Sequence, residues 1–108
     1  ITKAGVTSAD VIYTVAGSTT TIVLGLMLGN TTSSSITATV TLGTDTANRA
    51  GANNETNQDV ELITSTPIPG NSTLEFMGGN KVVMEATDTL SVTGSGATDI
   101  ALSVMEIT

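Results

Sequence analysis

The clearest pattern in the chain is a strict alternation of apolar and polar residues from Ile36 to Leu42. Ile36, Ala38, Val40 and Leu42 fall on one face of an extended chain, and three threonines fall on the other. Successive side chains of a strand point to opposite faces of its sheet, so a period of two is typical of a half-buried strand. We therefore predict a strand over 36–42 with its apolar face inward.

Seven further segments combine β-branched and apolar residues in a similar way. Turn residues separate them, because Gly and Asn tolerate positive φ and Pro fixes φ. One such turn, Gly78-Gly79, stands between two of the segments and predicts a tight hairpin. The segments are Val11–Val15, Ile22–Leu28, Val60–Thr64, Leu74–Met77, Lys81–Glu85, Thr89–Thr93 and Asp99–Ile107.

Eight short strands with turn signals between them predict an all-β fold, and no segment shows a sustained period of 3.6 residues. Eight such strands can close two facing sheets around one core. We expect a single domain over residues 1–108, an antiparallel β-sandwich that is jelly-roll-like or immunoglobulin-like. The length of 108 residues suits one domain of this kind.

The segment Ile22 to Leu28 is apolar on both faces, as in a strand that is covered from two sides. Strict alternation places Ile22, Leu24, Leu26 and Leu28 on one face. Val23 and Met27 lie on the other face and are candidates for a contact between subunits. The remaining methionines, at positions 77, 84 and 105, fall within predicted strands and are expected to fill the core.

Residues 43–58 form a long polar loop that has no periodicity. Loops of about 15 residues are uncommon in small domains, and many of them carry function. We expect this loop to contact a partner. Its candidate contact residues are Asp45, Asn48, Arg49, Asn53, Asn54 and Glu55.

Composition and charge exclude several classes of function. The chain has no Cys and no His, so it lacks thiolate ligands, a thiolate nucleophile and the commonest general base. Three basic residues against ten acidic ones give a net charge of −7, which disfavours binding to nucleic acid or to an anionic membrane. We expect neither nucleic acid nor membrane among the partners.

The sequence contains few groups of residues that suit a metal site or a catalytic site. The loop and Asp59 offer oxygen ligands that suit Ca²⁺, but the spacing of an EF-hand is missing, so we expect no metal and no cofactor. An acid/base pair needs two carboxyl groups held together in a dry cleft. We instead expect the acidic residues outside the loop on solvated outer faces, and we expect no enzyme. These residues are Glu61, Glu75, Glu85, Asp88, Asp99 and Glu106.

A set of short motifs carries a family resemblance. They are Tyr13-Thr14-Val15, Thr21 to Asn30 (TIVLGLMLGN), Pro67-Ile68-Pro69-Gly70, Lys81 to Ala86 (KVVMEA) with Asp88, Leu90 to Thr93 (LSVT), and Leu102-Ser103-Val104 with Glu106-Ile107. Together they resemble the small all-β structural proteins of tailed bacteriophages, especially marine and cyanobacterial phages, that accompany the virion shell or tail. The resemblance covers most of the chain outside residues 43–58.

The resemblance implies a non-enzymatic virion structural protein. The role that fits best is a decoration or cement protein, which binds the outside of the shell of major capsid protein and stabilises it. It implies a homo-oligomer, with a trimer favoured, located on the outer capsid surface. The alternative is a tail, neck or fibre accessory protein that contacts glycans on the host surface.

Overall fold

The computed structural model describes residues 1–45, 57–77 and 79–108, which form nine strands and no helix. The predicted all-β sandwich is confirmed. Each of the eight predicted segments overlaps an observed strand, and β1 is additional. The strands are β1 (Thr2–Val6), β2 (Asp10–Thr14), β3 (Thr20–Asn30), β4 (Ile36–Thr44), β5 (Gln58–Ile68), β6 (Thr73–Phe76), β7 (Val82–Met84), β8 (Thr89–Gly94) and β9 (Thr98–Ile107).

The strands form two antiparallel sheets that pack face to face. Sheet A has the order β1-β9-β3-β6, and β7 also pairs with β3; sheet B has the order β2-β8-β4-β5. The pairs are nested: β4 pairs with β5, β3 with β6 and β7, β2 with β8, and β1 with β9. The strands of the two halves of the chain therefore pair with each other, with the connection between β4 and β5 at the centre.

The hairpin predicted at Gly78-Gly79 is wrong. β6 pairs with residues 26–29 of β3, and β7 pairs with residues 21–23 of the same strand. β3 has 11 residues, which is long enough to hold both short strands end to end along one edge. Turn residues show where the chain changes direction, but they do not specify which strand the next segment joins. Gly78 itself lies outside the described residues.

The predicted inward face of β4 is confirmed. Ile36, Ala38 and Val40 are buried, and Leu42 packs partly buried against the same core. β4 lies between β5 and β8 in sheet B, so its inward side chains occupy the centre of the sandwich. The outward side chains of β4 are the threonines of the alternating pattern.

The predicted faces of β3 are wrong at its N-terminal half. A β-bulge at Leu24 and Gly25 interrupts the pairing of β3 with β9, because Val23 pairs with Val104 but Gly25 pairs with Ser103. One extra residue reverses the facing of every residue before it. Val23 is thus buried beside Leu26 and Leu28, whereas Leu24 points outward.

Two methionines confirm their predicted core positions, and one does not. Met77 and Met84 are buried, but Met105 is 48% exposed. Met105 alternates along β9 with Val104, which packs against the core, and so falls on the outward register of that strand.

The polar loop is shorter than predicted. Gly43 and Thr44 extend β4 and pair with Asp59 and Gln58 of β5. The Thr44 hydroxyl accepts a hydrogen bond from the Gln58 amide at 3.3 Å and donates one to the Gln58 carbonyl at 3.2 Å. The ladder between β4 and β5 therefore extends to Thr44 and Gln58, leaving residues 45–57 between the two strands.

Candidate partner-binding surfaces

The Asp88 carboxylate lies at the end of the sandwich from which the predicted contact loop leaves. Asp88 is fully buried. One of its oxygens accepts a hydrogen bond from the Asp45 amide at 2.9 Å, and the other accepts one from the Glu85 amide at 3.0 Å. A buried carboxylate that accepts backbone N–H bonds fixes the position of both donors. Asp88 therefore fixes the first residue of the loop to the turn between β7 and β8.

The expectation that Asp88 lies on a solvated face is wrong, while exposure of Glu61, Glu75, Asp99 and Glu106 is confirmed. Glu85 is half-buried. Asp88 differs because it ends a tight turn in which its amide also donates to the Glu85 carbonyl at 3.1 Å. The sequence signal that could have indicated this position is the preference of Asp for turns in which its side chain accepts hydrogen bonds from the nearby backbone.

Further contacts fix the turn that carries Asp88. The Thr87 amide donates to the Val15 carbonyl, and the Val15 amide donates to the Asp88 carbonyl, both at 3.0 Å. The Thr87 hydroxyl donates to the Asp45 carboxylate at 2.6 Å. Thr87 has a φ of 70°, which is unusual for a β-branched residue. Such a conformation persists only where its surroundings determine it, and here those surroundings are Val15, Asp45 and Asp88.

The structure thus describes one of the six predicted loop residues. Asp45 is half-buried at the base of the loop, where it contacts the Asp88 turn. Asn48, Arg49, Asn53, Asn54 and Glu55 lie outside the described residues.

Tyr13 bridges the two sheets near the same end of the molecule. Its hydroxyl lies 2.8 Å from the Thr21 hydroxyl on β3 and donates to the Glu106 carboxylate on β9 at 2.9 Å. Desolvation raises the pKa of Tyr13 above its usual value; the Thr21 hydrogen bond lowers it, and the neighbouring Glu106 carboxylate raises it further. The cluster therefore holds a neutral phenol between sheet B and sheet A.

The opposite end of the sandwich is organised by Asn30. This side chain is buried, and its amide nitrogen donates to the carbonyls of Ser34, Ile68 and Pro69 at 2.8–3.1 Å. Its oxygen accepts hydrogen bonds from the amide and hydroxyl of Thr32. Its donors and its acceptor are engaged within the chain, so Asn30 acts as a structural residue.

The two residues predicted to contact another subunit are separated by the bulge in β3. Val23 has no exposed surface and lies in the core, so its side chain is not presented to a neighbour. Met27 is 45% exposed on the outer face of sheet A. Of this predicted pair, only Met27 lies on a surface that another molecule can reach.

Three features of the described part of the chain bear on a small-molecule or membrane site. Within residues 1–45, 57–77 and 79–108, no group of three acidic residues is placed to hold a metal ion. Two open hollows on either side of Met27 have volumes of about 180 and 200 Å³. No helix in the described part of the chain is long and apolar enough to cross a membrane.

Comparison of the chain with protein-family models, with curated proteins and with solved structures finds no match.

Proposed function

We propose that this protein is a non-enzymatic virion structural protein of a tailed bacteriophage. Its role is that of a decoration or cement protein, which binds the outside of the shell of major capsid protein and stabilises it. The observation that carries the proposal is the fixed base of the loop. The last paired residues of β4 and β5, together with the buried Asp88 carboxylate, hold both ends of the loop at the same end of the sandwich. The phage role itself comes from the resemblance of the sequence motifs.

A fixed base favours binding through the loop. Binding through a loop costs conformational entropy, and a loop whose two ends are already positioned loses less of it. Asp45 is held by its amide to Asp88 and by its carboxylate to Thr87. This arrangement holds Asp45, the first residue of the polar stretch, at the end of the molecule that we propose faces the shell.

The strand order also supports the proposal. Nested pairing of β1 with β9, β2 with β8, β3 with β6 and β7, and β4 with β5 is the order of a two-sheet jelly roll. Jelly rolls occur in viral capsid proteins, and they also occur in lectins and cupins. The architecture is therefore compatible with the role that the motifs imply, and it does not by itself select that role.

The proposal is tested by binding to undecorated shells. Shells assembled from the major capsid protein of the phage that carries the gene are mixed with the purified protein and sedimented. We expect the wild-type protein to sediment with the shells. A variant in which a short Gly-Ser connection replaces residues 46–56 keeps Asp45 and the β4–β5 ladder, and we expect it to remain in the supernatant while melting like the wild type.

The matched control is Ser33→Tyr, a bulky change at an exposed position in the turn before β4, at the other end of the sandwich. It is expected to bind shells normally. Failure of the wild-type protein to bind would overturn the decoration role. Normal binding by the loop replacement would overturn the assignment of the loop as the contact.

A second candidate is the tail, neck or fibre accessory protein that contacts host glycans. The observation that favours it is the hydroxyl-rich outer face of sheet B, where Thr39 pairs with Thr93 and Thr41 pairs with Ser91. A glycan array separates the two roles. Reproducible sugar binding that survives replacement of residues 46–56 would favour this candidate over capsid decoration.

A further inference from the structure

The two outer faces of the sandwich differ sharply in polarity. The outer face of sheet B carries mainly threonine and serine on β4 and β8, as expected for a face in water. The outer face of sheet A carries a group of apolar side chains, which we name the sheet A patch. The patch consists of Ile22, Leu24, Met27, Val83, Ala101, Met105 and Ile107. Apolar groups of this kind on an otherwise polar protein mark interaction sites.

The register of sheet A makes the patch continuous across three strands. Ile22 on β3 pairs with Val83 on β7 and with Met105 on β9, so these three side chains form one row. The bulge adds Leu24 to the same face by turning it outward. Val83 and Met105 are 53% and 48% exposed, which is a large fraction for side chains of their type.

Around Met27 the patch has a ridge with a hollow on each side. Met27 pairs with Ala101 on one side and with Glu75 on the other. One hollow, of about 180 Å³, is lined by residues that include Gly25, Ala101 and Glu75. The other, of about 200 Å³, is lined by residues that include Gly29, Ala101 and Asp99. A projecting side chain beside a hollow can be self-complementary, because a second copy rotated by 180° can place its own uncharged Met27 in that hollow.

The dimensions of sheet A limit the area that a pair of copies can bury. β3 spans 11 residues, which corresponds to a length of about 37 Å. Sheet A is four strands wide, because β6 and β7 share the edge next to β3, and four strands give a width of about 19 Å. This rectangle of about 700 Å² includes polar positions and the space beyond the short strands β1, β6 and β7, so it is an upper bound on the area that can be buried, slightly below the ~800 Å² that each partner contributes to a standard interface. Two sheets can pack in this way at about 10 Å separation, as they do inside a sandwich.

We propose that the sheet A patch is covered by a second copy of this chain, related by a two-fold axis. The seven side chains of the patch carry no charge, so two copies with a net charge of −7 each meet mainly through uncharged side chains, and the Glu75 carboxylate beside Met27 lies on the edge strand β6. A three-fold ring would need two different complementary patches on each chain, whereas a two-fold pair uses one patch twice. This inference does not depend on the decoration role.

The test measures the mass of the purified protein by sedimentation over a range of concentrations. We expect a dimer of the wild-type chain. We expect Met27→Glu and Val83→Glu to raise the dimer dissociation constant at least about 30-fold, the change that corresponds to ~2 kcal/mol at an interface centre. Both positions are exposed, so circular dichroism is expected to show an unchanged fold.

Thr93→Glu is the matched control, since it adds the same charge to the exposed outer face of sheet B. It is expected to remain dimeric.

Added salt is expected to strengthen the wild-type dimer, because it screens repulsion between two acidic chains. A wild-type monomer at all concentrations, or dimers that survive both patch substitutions, would overturn the proposal. The measurement uses no shells, so its outcome is independent of the shell-binding test.

Discussion

At the residue scale, the Asp88 carboxylate is the polar group on which the loop-bearing end depends most. It is buried, and its two oxygens accept from amides of two separate segments, at Asp45 and Glu85. Removing a buried acceptor leaves its donors without partners, which costs more than the hydrogen bonds contribute in net terms. The structural importance of Asp88 therefore exceeds that of the exposed carboxylates of the chain.

We predict that Asp88→Ala lowers the free energy of unfolding by about 2–3 kcal/mol, since two backbone donors lose a charged acceptor. For a domain of this size the melting temperature should fall by roughly 10–20 °C. Thermal and urea unfolding provide the measurement. Glu61→Ala, which removes an exposed carboxylate from β5, is the control and should melt near the wild type. An Asp88→Ala variant as stable as this control would contradict the anchoring role.

Tyr13 provides a spectroscopic test at the same scale, because it is the only Tyr in the chain. Burial and the Glu106 carboxylate raise its pKa in the folded state above the usual value of 10.0. A group with a raised folded pKa adds stability below about pH 10 and loses it as the pH rises through the folded pKa. The folded protein is therefore expected to lose stability in alkaline solution as the phenol ionises.

We predict that ultraviolet titration of tyrosinate gives a midpoint above pH 10.0 for the folded protein and a lower midpoint in concentrated urea. Glu106→Gln removes the neighbouring negative charge and should bring the folded midpoint down toward the urea value. Equal midpoints for the folded and unfolded protein would show that the Tyr13 cluster is not formed.

At the element scale, β4 and β3 show what alternation does and does not reveal. The face of β4 follows its sequence because the strand runs through the part of sheet B next to β8 without a break in register. β3 contains a bulge at Leu24 and Gly25, so strict alternation misplaces its first half. Gly within a strand is a signal for a bulge, but the sequence does not state whether the register shifts there.

We predict that Val40→Asp unfolds the domain. Val40 is fully buried at the centre of sheet B, and a carboxylate placed there has no partner among the apolar side chains that surround it. Circular dichroism and a melting curve provide the measurement. Thr37→Asp is the control, because Thr37 lies on the same strand with its side chain exposed. Cooperative melting of Val40→Asp near the wild-type temperature would show that this face is not the core.

At the scale of the whole molecule, the sequence predicts the class of fold but not its connections. Turn residues and β-branched segments are local signals, and they suffice to locate eight strands. The nested order depends on pairing between distant segments, such as β1 with β9, for which the sequence carries no local signal. β1 itself escapes prediction because its sequence, TKAGV, lacks alternation and its place is set by pairing with β9.

The candidate surfaces show the same difference between local signals and pairing of distant segments. The long polar loop stands out in the sequence because it is polar and aperiodic, and Asp45 at its base is described by the structure. The Asp88 anchor and the sheet A patch are assembled from residues on several strands. Ile22, Val83 and Met105 lie far apart in the chain, and only the pairing of β3 with β7 and β9 brings them into one row.

The most direct test of the proposed decoration role is the position of the protein in the intact phage particle, determined by averaged electron density with a gold-labelled antibody as a second readout. We expect ordered copies over the icosahedral facets, outside the shell, with the loop-bearing end of the sandwich against the major capsid protein. Label confined to the tail or neck, or particles that lack the protein, would contradict the decoration role.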